Sequence, residues 1–162
     1  YTLWLKKTTI HNIVIGGAAG CFPPLVGWAA VTGNLTLSAW YLFAIIFFWT
    51  PPHFWALAML MKDDYSEANI PMLPSVVGID ATFRPMMLHT ITLIVLTLTM
   101  SLVNTKLGII YLISSSLLGG YYIYITLKLS HDYSRKNNLS VYKFSLLYMM
   151  SLSIIIIIDS LV

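Results

Sequence analysis

Apolar residues along the chain gather into five long blocks, each ended by a short polar or turn-rich segment. The blocks cover residues 13–31, 40–61, 86–103, 108–127 and 142–162. Each holds roughly the 20 mostly apolar residues that a helix needs to cross a hydrocarbon layer. None alternates with the period of two that a barrel strand requires, so helices are the spanning form the pattern predicts. The separators read TGNLTLS, KDDYSEANIPMLPSVVGIDATFR, NTK and KLSHDYSRKNNLSVYK. The second separator predicts one long acidic loop over 62–85. The expected fold is a single all-α polytopic membrane domain with five transmembrane helices and no internal repeat.

Composition supports lipid as the solvent. Of 162 residues, 58% are hydrophobic and 9% charged, with mean hydropathy +0.80. A soluble domain carries about 25% charged residues. The net charge of +3 comes from basic residues too few and too scattered for a nucleic-acid surface. Cys21 is the single cysteine, so it forms no internal disulfide, and its apolar setting favours a packing role. The chain opens YTLWLKKTT without an initiator methionine or a signal peptide, which reads as part of a longer or processed polypeptide.

Basic residues orient the spans. Lys6, Lys7, Lys62, Arg84, Lys128, Arg135, Lys136 and Lys143 fall on one side, and Lys106 alone on the other. The expected location is a bacterial inner membrane or a mitochondrial inner membrane, with the acidic loop on the cytoplasmic or matrix side. Asp63, Asp64, Glu67, Asp80 and Asp132 share that side, four of them within 62–85, while Asp159 lies opposite.

The stretch WTPPHFWALAMLMKDDY, 49–65, carries the densest chemistry. Pro51 and Pro52 lack N–H groups, so the carbonyls of Phe47 and Phe48 lose their helical partners. Thr50 is a local candidate to satisfy them. A simple packing kink and a functional opening both fit the prolines. His53 is ionisable at membrane depth, where such groups usually face a bundle interior or a wet cavity. A helix continuing through residue 64 puts His53 and Asp64 on nearly one face, roughly 16 Å apart along the axis. That phase predicts that both face one cavity at two depths, with Asp63 pointing away.

Clustered carboxylates suit a hard cation such as Mg²⁺, which in turn suits a phosphate ligand. Asp63 or Asp64 with Glu67 shares a face if the segment is helical. Lys6, Lys7, Lys62 and Arg84, on the same side, suit phosphate oxygens directly. The same residues also fit an ordinary charged loop. Trp49, Phe54 and Trp55 suit the aromatic lining of a cavity and equally suit plain packing or a lipid-facing position.

The run of YTLWLKK, NIVIGGAAG, PPLVGWAAVTG, WTPPHFWALAM and DYSEANIPMLP resembles the heme-modifying branch of the UbiA-type intramembrane prenyltransferases. The motifs match in order and spacing across the first half of the chain. The second half is similar in helix pattern only. The resemblance implies transfer of a farnesyl group from farnesyl diphosphate to a vinyl group of protoheme IX, giving heme O. It implies Mg²⁺ as cofactor and heme as substrate rather than prosthetic group.

By that resemblance Asp64 binds diphosphate and metal, with Tyr65 beside it. Tyr1 and Lys6, with Lys7, match the loop that contacts diphosphate. His53 matches the histidine of the family's Pro-His-Phe motif, with heme contact or proton transfer as its implied role. Asn12, Gly16 and Gly17 match the NIVIGG motif, whose glycines allow close helix approach. Two departures stand out. Where the wider family often has a second aspartate, four residues after Asp64, this chain has Ala68. The first acidic motif, of the Asn-x-x-x-Asp type, and its Arg-rich partner belong on helices before Tyr1. The resemblance therefore implies the C-terminal part of a bundle of about nine helices, inactive without the N-terminal ones. Two other readings stay open: a related prenyltransferase with a quinone or chlorophyll-type acceptor, or a transporter segment or non-enzymatic membrane subunit.

Overall fold

A computed structural model describes residues 4–161. Its elements are helices: α1 (Leu5–Thr8), α2 (Asn12–Gly20), α3 (Phe22–Thr32), α4 (Leu37–Leu60), α5 (Lys62–Glu67), α6 (Leu73–Val77), α7 (Ile79–Val103), α8 (Ile109–His131) and α9 (Arg135–Leu161). Five stretches are long and apolar enough to cross a membrane: Asn12–Thr32, Leu37–Leu60, Ile79–Val103, Ile109–His131 and Arg135–Leu161. With large apolar side chains such as Val31, Leu102 and Leu117 facing outward, the chain is an integral, multi-pass membrane protein.

Local chemistry sets the breaks. The first span is interrupted at Cys21, and Pro23 and Pro24 follow in the first turn of α3, where proline costs no helical bond. Gly33, at φ 74°, ends α3 in the left-handed conformation that favours glycine. α4 runs through Pro51 and Pro52 without a break. Thr50 Oγ1 donates to the carbonyl of Ile46 at 2.8 Å, not to the carbonyls freed by the prolines.

The expected loop over 62–85 is mostly ordered helix instead. It holds α5, α6 and the first turns of α7. Asn69, at φ 52°, and Gly78, at φ 89°, make the reversals between them. Asp80 lies in the first turn of α7, where a negative charge complements the helix dipole.

α4 is the central helix. It packs against α2 and α3 on one side and against α7 and α9 on the other, and α8 closes against α7 and α9. The core holds Trp55, Met86, Leu93, Met100, Tyr111, Tyr122 and Tyr148. Gly119 permits the α7–α8 crossing: a Cβ there would lie 2.8 Å from Ile94 Cγ2. Within these apolar helices the buried hydroxyls of Thr90, Thr97 and Thr126 return to carbonyls four residues back, so these three hydroxyl hydrogens are not stranded.

Candidate functional site

A cavity of about 400 Å³ opens between α2, α4 and the segment joining α5 to α6. It collects residues from distant parts of the sequence. Lys6, Asn12, Tyr65, Ile70 and Met72 form one end. Ile13, Gly16, Gly17 and Gly20 from α2 face Ile46, Trp49, Thr50 and Phe54 from α4 along its length. Both rows step by about four residues, which keeps each on one face of its helix. The helices run antiparallel, with Gly17 against Thr50, so Phe54 lies toward Asn12 and Ile46 toward Gly20.

Asn12 organises the polar end. Fully buried, it donates through Nδ2 to the carbonyls of Lys6, at 3.1 Å, and Pro71, at 3.2 Å. That ties α1 and the segment before α6 to the start of α2. Its Oδ1 has no hydrogen-bond partner among the described residues. Tyr65 sits between this cavity and a shallower depression of about 300 Å³ that includes Lys7, Ser66 and Asn69. Burial, and secondarily the nearby Tyr142, pushes the Tyr65 phenol above its ordinary pKa. Its hydroxyl therefore stays a hydrogen-bond donor at neutral pH.

The cavity brings together Lys6, Asn12, Trp49, Phe54 and Tyr65. It does not include Asp63, Asp64, Glu67, Lys62 or Arg84, which stand exposed on the polar surface outside it. Tyr1 lies outside the described residues. The expectation that His53 and Asp64 face one cavity through a continuous helix is corrected. α4 ends at Leu60, Met61 leaves helical geometry at φ −115° and ψ 37°, and α5 starts a new helix whose phase is independent.

His53 faces α9 instead. It is 7% exposed, stacks between Trp49 (4.5 Å between ring centroids) and Tyr142 (5.1 Å), and its Nδ1 lies 2.7 Å from Ser145 Oγ. Ser145 Oγ also lies 2.6 Å from the Tyr142 carbonyl, so the serine hydroxyl joins His53 to the backbone of α9. Beside this pair Trp49 Nε1 donates to the Ser145 carbonyl at 2.8 Å, and Asn138 Nδ2 donates to the Ala56 carbonyl at 3.1 Å. The sequence reading did not single out Ser145, Tyr142 or Asn138. Their signal was positional: Asn138, Val141, Ser145, Tyr148 and Leu152 fall on one helical stripe, polar residues within an apolar span.

Mg²⁺ is commonly held by one or two carboxylates, with waters and substrate phosphates completing its shell. Asp63, Asp64 and Glu67 on α5 fit such a partial donor set, being exposed at the surface near the polar end. Among the described residues no three His, Cys, Asp or Glu side chains converge into a cage. With this donor set a metal would need further ligands, such as waters or phosphate oxygens, to complete its shell.

The UbiA prenyltransferase family matches residues 1–152. A protein from Gloeobacter violaceus named protoheme IX farnesyltransferase is 53% identical, over 99% of this chain and 52% of its own length. Proteins of the same name are 53% identical in Thermus thermophilus, over 92% of this chain and 24% of that protein, and 52% identical in Deinococcus radiodurans, over 92% and 49%. The chain spans about half the length, or less, of these curated relatives. No solved structure matches it. With a cavity apolar along its helices, cationic and polar at one end, and a family match over nearly its whole length, the chain belongs to the UbiA prenyltransferase family.

Proposed function

We propose that, in a polypeptide of the relatives' length, these residues form the prenyl-diphosphate side of an enzyme that farnesylates protoheme IX. The observation that carries this is the polarity of the cavity between α2 and α4. Lys6, Asn12 and Tyr65 lie at one end and apolar side chains and glycines along the rest. A prenyl diphosphate has the same two-part character.

Lys6 and Tyr65 would meet diphosphate oxygens, a cation and a neutral donor respectively. Lys7, Lys62 and Arg84 add positive potential around the mouth and draw the anion in. Asp64, with Asp63 or Glu67, would hold Mg²⁺ against the diphosphate. When bound, Mg²⁺ neutralises the charge that builds on the leaving group. As the allylic C–O bond breaks, its electron pair leaves with diphosphate. The vinyl carbon of protoheme then bonds the farnesyl carbon, and water adds to the cation so formed, losing a proton to give the hydroxyethylfarnesyl group of heme O. Trp49 and Phe54 keep water from the allylic cation and offer it aromatic faces. His53, held against α9, positions Trp49 and does not reach the prenyl group. We infer a cytoplasmic or matrix-side mouth, because eight of nine basic residues lie at that end of the spans.

The test is conversion of protoheme IX and farnesyl diphosphate to heme O in membranes carrying the full-length polypeptide. Asp64→Ala should lower product about 100-fold or more, the scale for removing one group that stabilises developing charge. Farnesylation of a quinone precursor but not of heme would move the chain to another branch of the family. No transfer to any acceptor would sink the enzymatic reading. The 162-residue segment expressed alone should give no product.

A further inference from the structure

Two glycines of α2 line the same cavity and differ in what surrounds them. At Gly17 a Cβ would lie 2.9 Å from Thr50 Cγ2, so glycine there is required by the approach of α4. At Gly20 a Cβ would meet nothing within 4 Å. Gly20 is the last helical residue of α2 and has ordinary helical backbone, not the left-handed conformation that calls for glycine. Gly20 is exposed in this chain and lines the apolar end of the cavity with Ile46, so a side chain there would project into open space at that end.

The opposite end carries an independent sign of a ligand. Asn12 is fully buried, lines the cavity, and keeps an acceptor, Oδ1, without a partner among the described residues. A buried polar atom of this kind is normally satisfied by water or by a bound group. Asn12 and Gly20 are eight residues apart on one helical face, about 12 Å by helix rise. The cavity thus has a polar start at Asn12 and, about two helical turns along α2, an apolar end bordered by a glycine.

We propose that Gly20 sets the length of the prenyl chain the cavity accepts. This rests on the prenyl-diphosphate reading above and deepens it. With the head group fixed near Lys6, Asn12 and Tyr65, chain length decides how far the tail travels along α2. A Cβ at position 20 meets nothing within 4 Å, so a side chain built there enters the last part of that path. It shortens the accepted chain while leaving the head group where it was. The effect is a change in preference between donors, not a general loss.

The experiment uses the full-length polypeptide in membranes. Geranyl, farnesyl and geranylgeranyl diphosphate compete for transfer to protoheme IX, and direct binding of each donor is measured alongside. Gly20→Ala, Gly20→Val and Gly20→Leu form a graded series. The geranyl-to-farnesyl ratio should rise stepwise, by about tenfold or more at leucine, since even single methylenes are discriminated by such factors in apolar sites. Binding should follow the same order. Gly27→Leu, on α3 outside the cavity and likewise free of neighbours within 4 Å, should leave the ratio unchanged. A flat ratio across the series, or an equal loss for all three donors, overturns the proposal. If the leucine variant does not accumulate, the alanine and valine variants decide by the same criterion. Wild-type protein that takes none of the three donors would instead refute the underlying reading, and the length role with it.

Discussion

The two faces of α4 are built on opposite principles. Toward α2, Ile46, Thr50 and Phe54 border open space, and the facing row on α2 is mostly glycine. Toward α9, Trp49, His53 and the Ala56 carbonyl are each hydrogen-bonded to a residue of that helix. One helix therefore borders a cavity on one side, touching α2 closely at Gly17–Thr50, and is hydrogen-bonded to its neighbour on the other. A cavity wall made of a single helix keeps its shape only if something behind it resists movement. Within lipid, where apolar contact with a neighbour is worth little more than contact with a lipid tail, side-chain hydrogen bonds between helices give that resistance.

The strongest way to break the contrast is to fill the open face at its tightest point. Gly17→Leu drives a side chain into Thr50, which already sits closer than a Cβ allows. Repacking α2 away from α4 should abolish heme O formation and lower thermal stability in detergent. Gly17→Ala is the graded version, with an expected cost of about 1–3 kcal/mol for an overpacked contact. Normal melting and turnover for both variants would mean that α2 and α4 do not approach as closely as the Gly17–Thr50 contact implies.

The two faces were unequally legible in the sequence. Apolar run length depends only on local composition, so the five spans were readable to within a few residues, apart from longer starts on α7 and α9. The break at Cys21 carried a signal in the flanking Gly20, Pro23 and Pro24, whereas the stop of α4 at Leu60 was not readable, because neither a glycine nor a proline marks it. The extrapolation of one helical phase from His53 to Asp64 failed for that reason. Lys6, Asn12 and Tyr65 were identified on motif resemblance and Trp49 and Phe54 as aromatic candidates for a cavity lining, and the fold brings the five to one cavity. The anchored face was hidden: its partners lie 82 to 96 residues away, and a serine or asparagine in an apolar run does not announce which helix it meets.

On the anchored face, Ser145→Ala is the sharper test of intermediate size. It leaves the carbonyl that Trp49 bonds but removes the hydroxyl that bonds His53 Nδ1. A buried polar group stranded in this way costs about 1–3 kcal/mol. Stability should fall by that amount, with heme O formation falling as Trp49 loses its stacked support. Ser145→Thr should recover much of both, since it restores the hydroxyl. Equal stability of the alanine variant and wild type would show that the His53–Ser145 contact does not anchor α4. Asn138→Ala should cost somewhat less, about 1 kcal/mol, since it removes a neutral donor to a carbonyl.

The smallest effect belongs to the other hydroxyl of α4. Thr50→Val, on the open face, also deletes one buried hydroxyl bond, the 2.8 Å contact to the Ile46 carbonyl. That carbonyl is already within reach of the helix's own amide at Thr50, so nothing is stranded when the hydroxyl goes. The branch that packs against Gly17 is retained. Such back-bonds within one helix contribute little to its stability. The expected change is within about 0.5 kcal/mol, with heme O formation near wild type. Thr50→Val and Ser145→Ala remove the same chemical group from opposite sides of one helix. A loss at Thr50 as large as at Ser145 would mean that burial alone, not anchoring between helices, sets the cost. An undisturbed Thr50 beside a damaged Ser145 would locate the rigidity of the cavity wall in the α4–α9 contact behind it.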